Sequence, residues 1–303
     1  MKLRSVDFGL VWDASGVRNF YGEGYPHHKY LRPFGLDLAG STLVAKTVPL
    51  NPRAGNLPYR NCVIVKPFKG VALNAVGLPG LGAKAHFETG LWQNWKKAFF
   101  ISFAPVDETS NGRISETKEF VEIFRKHLRD FKAPVGLQIN ISCMNIGSRT
   151  YDDLVWEVDQ ILNIAGSLGI PVILKFNILT PPETVCRIGQ NPYCDGICIS
   201  NSIPFGQLPE LINWKKLFGD KSPLAYLGGG GLSGKPLLPL VEGWVKKLRR
   251  LGFKKYINAG GGILCIRDAD KLFLAGANSI FLGSIAFLRP WRVKKIVKTF
   301  SNL

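Results

Sequence analysis

The chain has 303 residues, 46% of them hydrophobic, and 39 lysines and arginines against 22 aspartates and glutamates, a net charge of +17. This length and apolar share suit a globular chain with a large core, and α/β barrels of about this size are single domains, so 1–303 reads as one domain. No run reaches the roughly 18 apolar residues of a membrane span, and the charge favours anionic partners (phosphorylated cofactors, carboxylates, nucleic acid or anionic lipid) unless it is only a solvated surface.

Strand-like apolar runs alternate with helical patterns. In chain order the predicted strands are 8–12, 42–46, 98–103, 136–142, 171–176, 196–200, 255–259 and 279–283. Several are apolar on both faces, as strands of a buried parallel sheet are. Between them, 116–131 repeats Phe120, Ile123, Phe124, His127, Leu128 and Phe131 at helical spacing, and 151–168 does so with Leu154, Val158, Ile161, Leu162 and Ala165. Asp152 and Asp153 suit a helix start. Further helices are predicted over 181–190, 236–251, 267–275 and 290–301, with Pro181 and Pro290 in first-turn positions. Eight such units predict an α/β fold, either a closed (β/α)8 TIM barrel, which is the reading taken forward, or a long doubly wound sheet. The Pro- and Gly-rich stretch 50–95 is predicted to form a loop or hairpin insertion over the active-site mouth.

Cysteines stand at 62, 143, 186, 194, 198 and 265 with no CxxC pair, and the four histidines show no HxxxH or HExxH spacing. A disulfide framework, an iron–sulfur cluster and a catalytic zinc are therefore not expected, and a reducing compartment fits. Residues 1–16 contain Asp7 and Asp13 and no long apolar stretch, so no leader is expected and the protein is expected to be cytoplasmic.

In a barrel the chemistry lies at the C-terminal ends of the strands. The residues there are Ala14, Ser15 and Gly16; Lys46 and Thr47; Asn140, Cys143 and Asn145; Lys175; Asn201 and Ser202; Gly260 to Gly262; and Gly283 and Ser284. The runs Gly228–Gly231 and Gly260–Gly262, with Gly283, leave backbone N–H groups open ahead of helices and point to a phosphate-bearing cofactor. Lys175 ends an apolar strand. It is read either as half of a structural ion pair or as a charge stabilising a cofactor that gains electrons. A lone cysteine is usually a small core residue. Cys143 instead follows a strand between two asparagines, and a thiol near Lys46 suits a general base.

The motifs DASGV (13–17), AKT (45–47), PRAGNLPYR (52–60), LNAVGLPGLG (73–82), INISCMN (139–145), PVILKF (171–176), SNSI (200–203), GGLSGKP (230–236), AGGGI (259–263) and FLGS (281–284) together resemble the dihydroorotate dehydrogenase family, over about 8–300. The resemblance implies FMN as cofactor and dihydroorotate/orotate as substrate and product in pyrimidine synthesis. It implies Cys143 as the base removing the C5 proton, while hydride leaves C6 for flavin N5, with Lys46 and Lys175 beside the reaction. Substrate contacts fall on Lys46, Asn74, Gly77, Leu78, Asn140, Asn145, Asn201 and Ser202. Cofactor contacts fall on Ala14, Ser15, Gly16, Lys46, Thr47, Asn140, Lys175, Gly231, Gly261, Gly262, Gly283 and Ser284. A cysteine base resembles the soluble class. Within it, GLPGLG looks like the homodimeric type, and NISC and GGLSG look like the type with an iron–sulfur electron-transfer subunit. Met144, Gln138, the segment 203–227 and the charge depart from the usual pattern. Two other readings compete: a related flavin enzyme acting on another pyrimidine, such as a dihydrouridine synthase drawn to RNA by its charge, and a barrel without activity. The asparagine set argues against both, and no room for an added RNA-binding domain follows the last strand.

Overall fold

The structure, a computed structural model, describes residues 2–56, 61–141 and 150–301. Among them run strands β1 (Val11–Asp13), β2 (Val63–Lys66), β3 (Val71–Asn74), β4 (Phe99–Phe103), β5 (Val135–Asn140), β6 (Val172–Phe176), β7 (Gly196–Ile199), β8 (Ile203–Pro204), β9 (Gly231–Gly234), β10 (Tyr256–Ala259) and β11 (Ser279–Leu282). The helices are α1 (Pro26–Leu31), α2 (Ala83–Glu88), α3 (Ser110–His127), α4 (Tyr151–Gly166), α5 (Pro182–Ile188), α6 (Trp214–Phe218), α7 (Leu237–Arg250), α8 (Ile266–Leu274), α9 (Ile285–Leu288) and α10 (Val293–Ser301).

Seven strands form one parallel sheet in the order β1-β11-β10-β7-β6-β5-β4. Because strand side chains alternate, each strand feeds two cores. One core, between sheet and helices, takes Val11, Phe99, Ile101, Val172, Leu174, Ile197, Ile257 and Ile280. The other takes their neighbours Trp12, Phe100, Ile173, Cys198, Tyr256 and Phe281, with Leu3, Phe8 and Val44. β1 and β4 are opposite edges of the sheet, yet the Trp12 and Phe100 rings stack at 4.7 Å. The sheet is therefore curled with its edges brought together, a TIM-barrel-like arrangement. Gly136 permits the Phe100 ring its place inside, since a Cβ there would sit 2.3 Å from Phe100 Cε1.

The strand expected over 42–46 is present only as parallel bridges, Thr42 to Trp12 and Val44 to Phe100, with Val48 to Phe103 beyond. These bridges touch both edge strands. The other seven expected strands are found within a few residues of their predicted limits. The helix expected from 116 begins six residues earlier, at Ser110, because Thr109 caps it by accepting from the Gly112 N–H. A capping box between Thr150 and Asp153 starts α4.

A second, antiparallel sheet runs β2-β3-β9-β8. Leu73 pairs with Leu232, which also pairs with Ile203, and all three are buried. Its β8 follows β7 directly, so this sheet is tied to the C-terminal end of the parallel strands.

One buried ion pair joins α3 to α4. Arg113 Nε and Nη2 meet the two Glu157 carboxylate oxygens at 2.6 and 2.8 Å, and Arg113 Nη1 donates to the carbonyls of Asp107 and Glu108. Removing one partner of such a pair leaves a buried charge uncompensated. Glu157→Ala is expected to cost about 3–5 kcal/mol of unfolding free energy, read by denaturant titration. A cost below about 1 kcal/mol would show that water solvates the site.

Candidate active site

The alternation that fills the curled sheet with Trp12, Val44, Phe100 and Ile173 turns polar one step higher. Two residues on from Val44 and Ile173 come Lys46 and Lys175, and β5 brings Gln138 and Asn140 to the same face. All four are buried. Burial pushes the Lys46 pKa below its ordinary value, opposed by the charges of Glu23 and Cys62. Its ammonium lies 4.9 Å from the centre of the Phe20 ring. Lys175 stands between Asn140 and Cys198 in register. Among the described residues no carboxylate pairs with it, so the structural ion pair considered from sequence is not found there.

Asn140 is buried at the end of β5, a strand buried along its whole length. The Asn201 amide donates toward Asn140 Oδ1 at 3.4 Å, and the Ser202 N–H donates to Asn201 Oδ1 at 3.0 Å. Asn177 Nδ2 donates to the Ser202 carbonyl at 2.5 Å. The Ile199–Ser200 peptide ahead of them is cis. On the antiparallel sheet Asn74 Nδ2 donates to the Gly231 carbonyl, and a Cβ at Gly231 would come within 2.3 Å of Ser202 Oγ. Asn74, Gly231, Ser202, Asn201 and Asn140 thus form one connected row. Gly77 and Leu78 lie beyond Asn74 with φ of +76° and +53°. Asn56 braces their loop, bonding to the carbonyls of Ala75 and Val76.

A third group runs from the loop after β1. Ser15 Oγ donates to the Ala45 carbonyl and lies 2.8 Å from Thr47 Oγ1, which lies 2.8 Å from Ser102 Oγ. Gly16 lies against the Lys46 side chain, and a Cβ on Gly283 would come 3.1 Å from Ala14. Asp13 anchors this loop. It is fully buried between Arg18 and Ser41, and burial raises its pKa against the pull of both partners.

The glycine runs part company. Gly228 and Gly229 use their N–H groups within their own turn, donating to the carbonyls of Ala225 and Leu224. That run closes a turn and does not cradle an anion through those groups. Gly261 and Gly262 donate to no acceptor among the described residues, and they lie against the first turn of the 14-residue α7. A Cβ on Gly262 would be 2.7 Å from the Gly234 carbonyl and 2.9 Å from the Leu238 nitrogen, at φ +83°. Free N–H groups beside a helix start fit a phosphate. Gly262→Ala is expected to add about 1–3 kcal/mol of strain, read as a lower unfolding free energy in denaturant titration. An unchanged midpoint would show that the turn relaxes around the added methyl group.

Cys143 and Asn145 lie outside the described residues. In sequence they fall between Asn140, the last residue of β5, and Thr150, the cap of α4. No group of three or more potential metal ligands occurs among the described residues.

The sequence matches the dihydroorotate dehydrogenase family over residues 13–303. The chain belongs to the dihydroorotate dehydrogenase family. It is an oxidoreductase of the class that acts on a CH–CH bond, in pyrimidine synthesis. Similar proteins bear the name dihydroorotate dehydrogenase B (NAD(+)), catalytic subunit. One from Endomicrobium trichonymphae is 28% identical over 263 residues, 86% of this chain and 79% of the relative. One from Saccharolobus solfataricus is 27% identical over 262 residues, 84% and 78%. One from Desulforudis audaxviator is 28% identical over 287 residues, 92% and 83%.

Asn177, Ser102 and His86 also lie against the site, and the strand-end pattern alone does not single them out. Asn177 stands two residues after Lys175, at a strand end, and that position was its signal. His86 had none, since its role is contact. Its Nδ1 lies 2.7 Å from the Tyr21 hydroxyl and its ring packs on Phe20, beneath Lys46. Burial, with the nearby Lys46 charge, lowers its pKa to about 4.

Proposed function

We propose that this chain oxidises dihydroorotate to orotate with FMN, using Cys143 as the base and Lys46 and Lys175 as fixed charges beside the reacting ring. The observation that carries the reading is the joined row Asn74–Gly231–Ser202–Asn201–Asn140, which ends beside Lys175, at the strand end that precedes Cys143 in sequence. Amide groups in such a row both donate and accept, as a ring of alternating N–H and C=O groups requires. Lys46 and Lys175 supply positive charge for the substrate carboxylate and for the cofactor.

The residues present fit FMN. Gly261, Gly262, Gly283 and Ser284 would hold its phosphate; Ala14, Ser15, Gly16 and Thr47 would line the ring; Lys175 would favour its electron-rich state. FMN, when bound, supplies the acceptor for the hydride leaving C6 of the substrate. Cys143 takes the C5 proton, and the asparagine row holds the ring so that both hydrogens leave from fixed positions. In this reading the curled sheet and 42–48 close an eight-stranded barrel, and β2 and β3, which fall in the 50–95 insertion, cover its mouth together with β8 and β9 from later in the chain.

The relatives' name, catalytic subunit, supports an electron-transfer partner beside a homodimeric core. NAD(+) would then be the terminal acceptor, and no helix among the described residues is long and apolar enough to cross a membrane. The test is orotate formation by the purified protein with NAD(+), fumarate or a quinone supplied separately. Orotate formed with any acceptor, or stoichiometrically with the bound flavin alone, supports the activity. Reduction of a tRNA uridine without any reaction on dihydroorotate would replace it with the dihydrouridine reading.

A further inference from the structure

Three segments distant in sequence make one surface. The turn after β2 lies beside the turn before α10, where Arg289 Nη1 donates to the Pro67 carbonyl at 2.9 Å and the guanidinium sits 5.5 Å from the Trp291 ring centre. Gly35 joins on the far side. Its carbonyl accepts from the Lys294 N–H, and a Cβ on it would touch the Trp291 backbone at 3.0 Å. Gly35, Trp291, Lys294, Lys295, Lys298 and Thr299 line a cleft of about 440 Å³.

The composition of this surface is one-sided. Residues 26–36, 62–70 and 285–301 together hold nine lysines and arginines and no aspartate or glutamate. They also carry large aromatic side chains held out into water: Tyr30, Phe34 and Trp291 are each more than half exposed, and Phe68 is fully exposed. The Phe68 turn is braced from behind. Lys66 Nζ donates to the Leu217 carbonyl at 2.9 Å and Lys69 Nζ to the Lys216 carbonyl at 2.5 Å, near the C-terminus of α6. Scattered exposed apolar residues are ordinary. Phe34, Phe68 and Trp291 stand on segments that these contacts join, amid a large excess of cations, and are not scattered.

We propose that this face docks on the surface of an anionic phospholipid bilayer, with Phe68, Trp291 and Phe34 entering the headgroup–acyl boundary and Lys294, Lys295 and Lys298 meeting the lipid phosphates. An acidic protein would answer the cations, but it would need a pocket for a fully projecting phenylalanine. A bilayer interface answers charge and aromatic side chains together, without a matching shape. Binding is peripheral and needs no spanning segment.

The test is co-sedimentation of the full-length protein with vesicles of phosphatidylcholine alone and of phosphatidylcholine with about 30% phosphatidylglycerol. The protein is expected to pellet with the anionic vesicles only and to be released by about 0.5 M NaCl. Phe68→Ala and Trp291→Ala are each expected to lower partitioning about tenfold, and Lys294→Gln with Lys295→Gln about fivefold per residue. All four side chains are exposed, so thermal melting and dihydroorotate turnover in solution should match the parent and show that the fold is intact. Absence of pelleting, equal binding to neutral vesicles, or anionic binding indifferent to Phe68 and Trp291 would overturn the proposal. So would capture of RNA in place of vesicles.

Discussion

Cys143→Ser is expected to slow flavin reduction by dihydroorotate by about 10²–10⁴-fold, the usual contribution of a positioned general base. A serine hydroxyl fills nearly the same space but is a far weaker base near neutrality, so substrate affinity and flavin content should stay close to the parent's. The loss should shrink as pH rises, because hydroxide can then replace the missing base. Stopped-flow reduction without oxygen isolates this step from reoxidation. Unchanged reduction kinetics would take the base role away from Cys143.

Lys175→Met is expected to reduce the same rate by about 10²–10³-fold, the loss seen when one preorganised electrostatic group is removed from a reacting site. Lys175 is buried at the end of β6, and no carboxylate among the described residues neutralises it. Its charge is therefore available to an electron-rich cofactor. Two unit charges about 4 Å apart in an effective dielectric near 20 interact by roughly 4 kcal/mol. The reduction potential of the bound flavin should fall correspondingly. Lys175→Arg should keep the potential nearer to the parent's while impairing the rate, since a guanidinium is larger and planar. A potential that does not move in Lys175→Met would leave the lysine a purely structural role.

Much of the parallel sheet was legible because buried strands leave apolar runs. PVILKF and FFISF have few other ways to bury both faces. The segment 42–46 was legible as a strand by composition, yet it makes only isolated bridges; Pro49 follows closely, and a proline cannot donate to a ladder. The antiparallel sheet was not legible in detail. β2 and β3 have four residues each around a Pro-Phe-Lys-Gly turn, and their partner β9 is far along the chain. Local patterns carry no information on such pairing.

The candidate site shows the same division. Lys46, Lys175, Asn140 and Asn201 were found by taking the polar residues where apolar strands end. Gly228 and Gly229 were read with Gly261 and Gly262, since glycine marks both turns and anion cradles. Only the carbonyls of Leu224 and Ala225, which accept the first pair's N–H groups, separate the two uses. The support of Lys46 by Phe20, His86 and Tyr21 depends on packing between a loop and α2, which no sequence period reveals.

Anaerobic mixing of the flavin-loaded protein with dihydroorotate isolates the proposed oxidation from every later electron transfer. The visible flavin absorption is expected to bleach, and orotate to appear in amounts matching the flavin reduced. A flavin that stays fully oxidised with dihydroorotate in excess would contradict it.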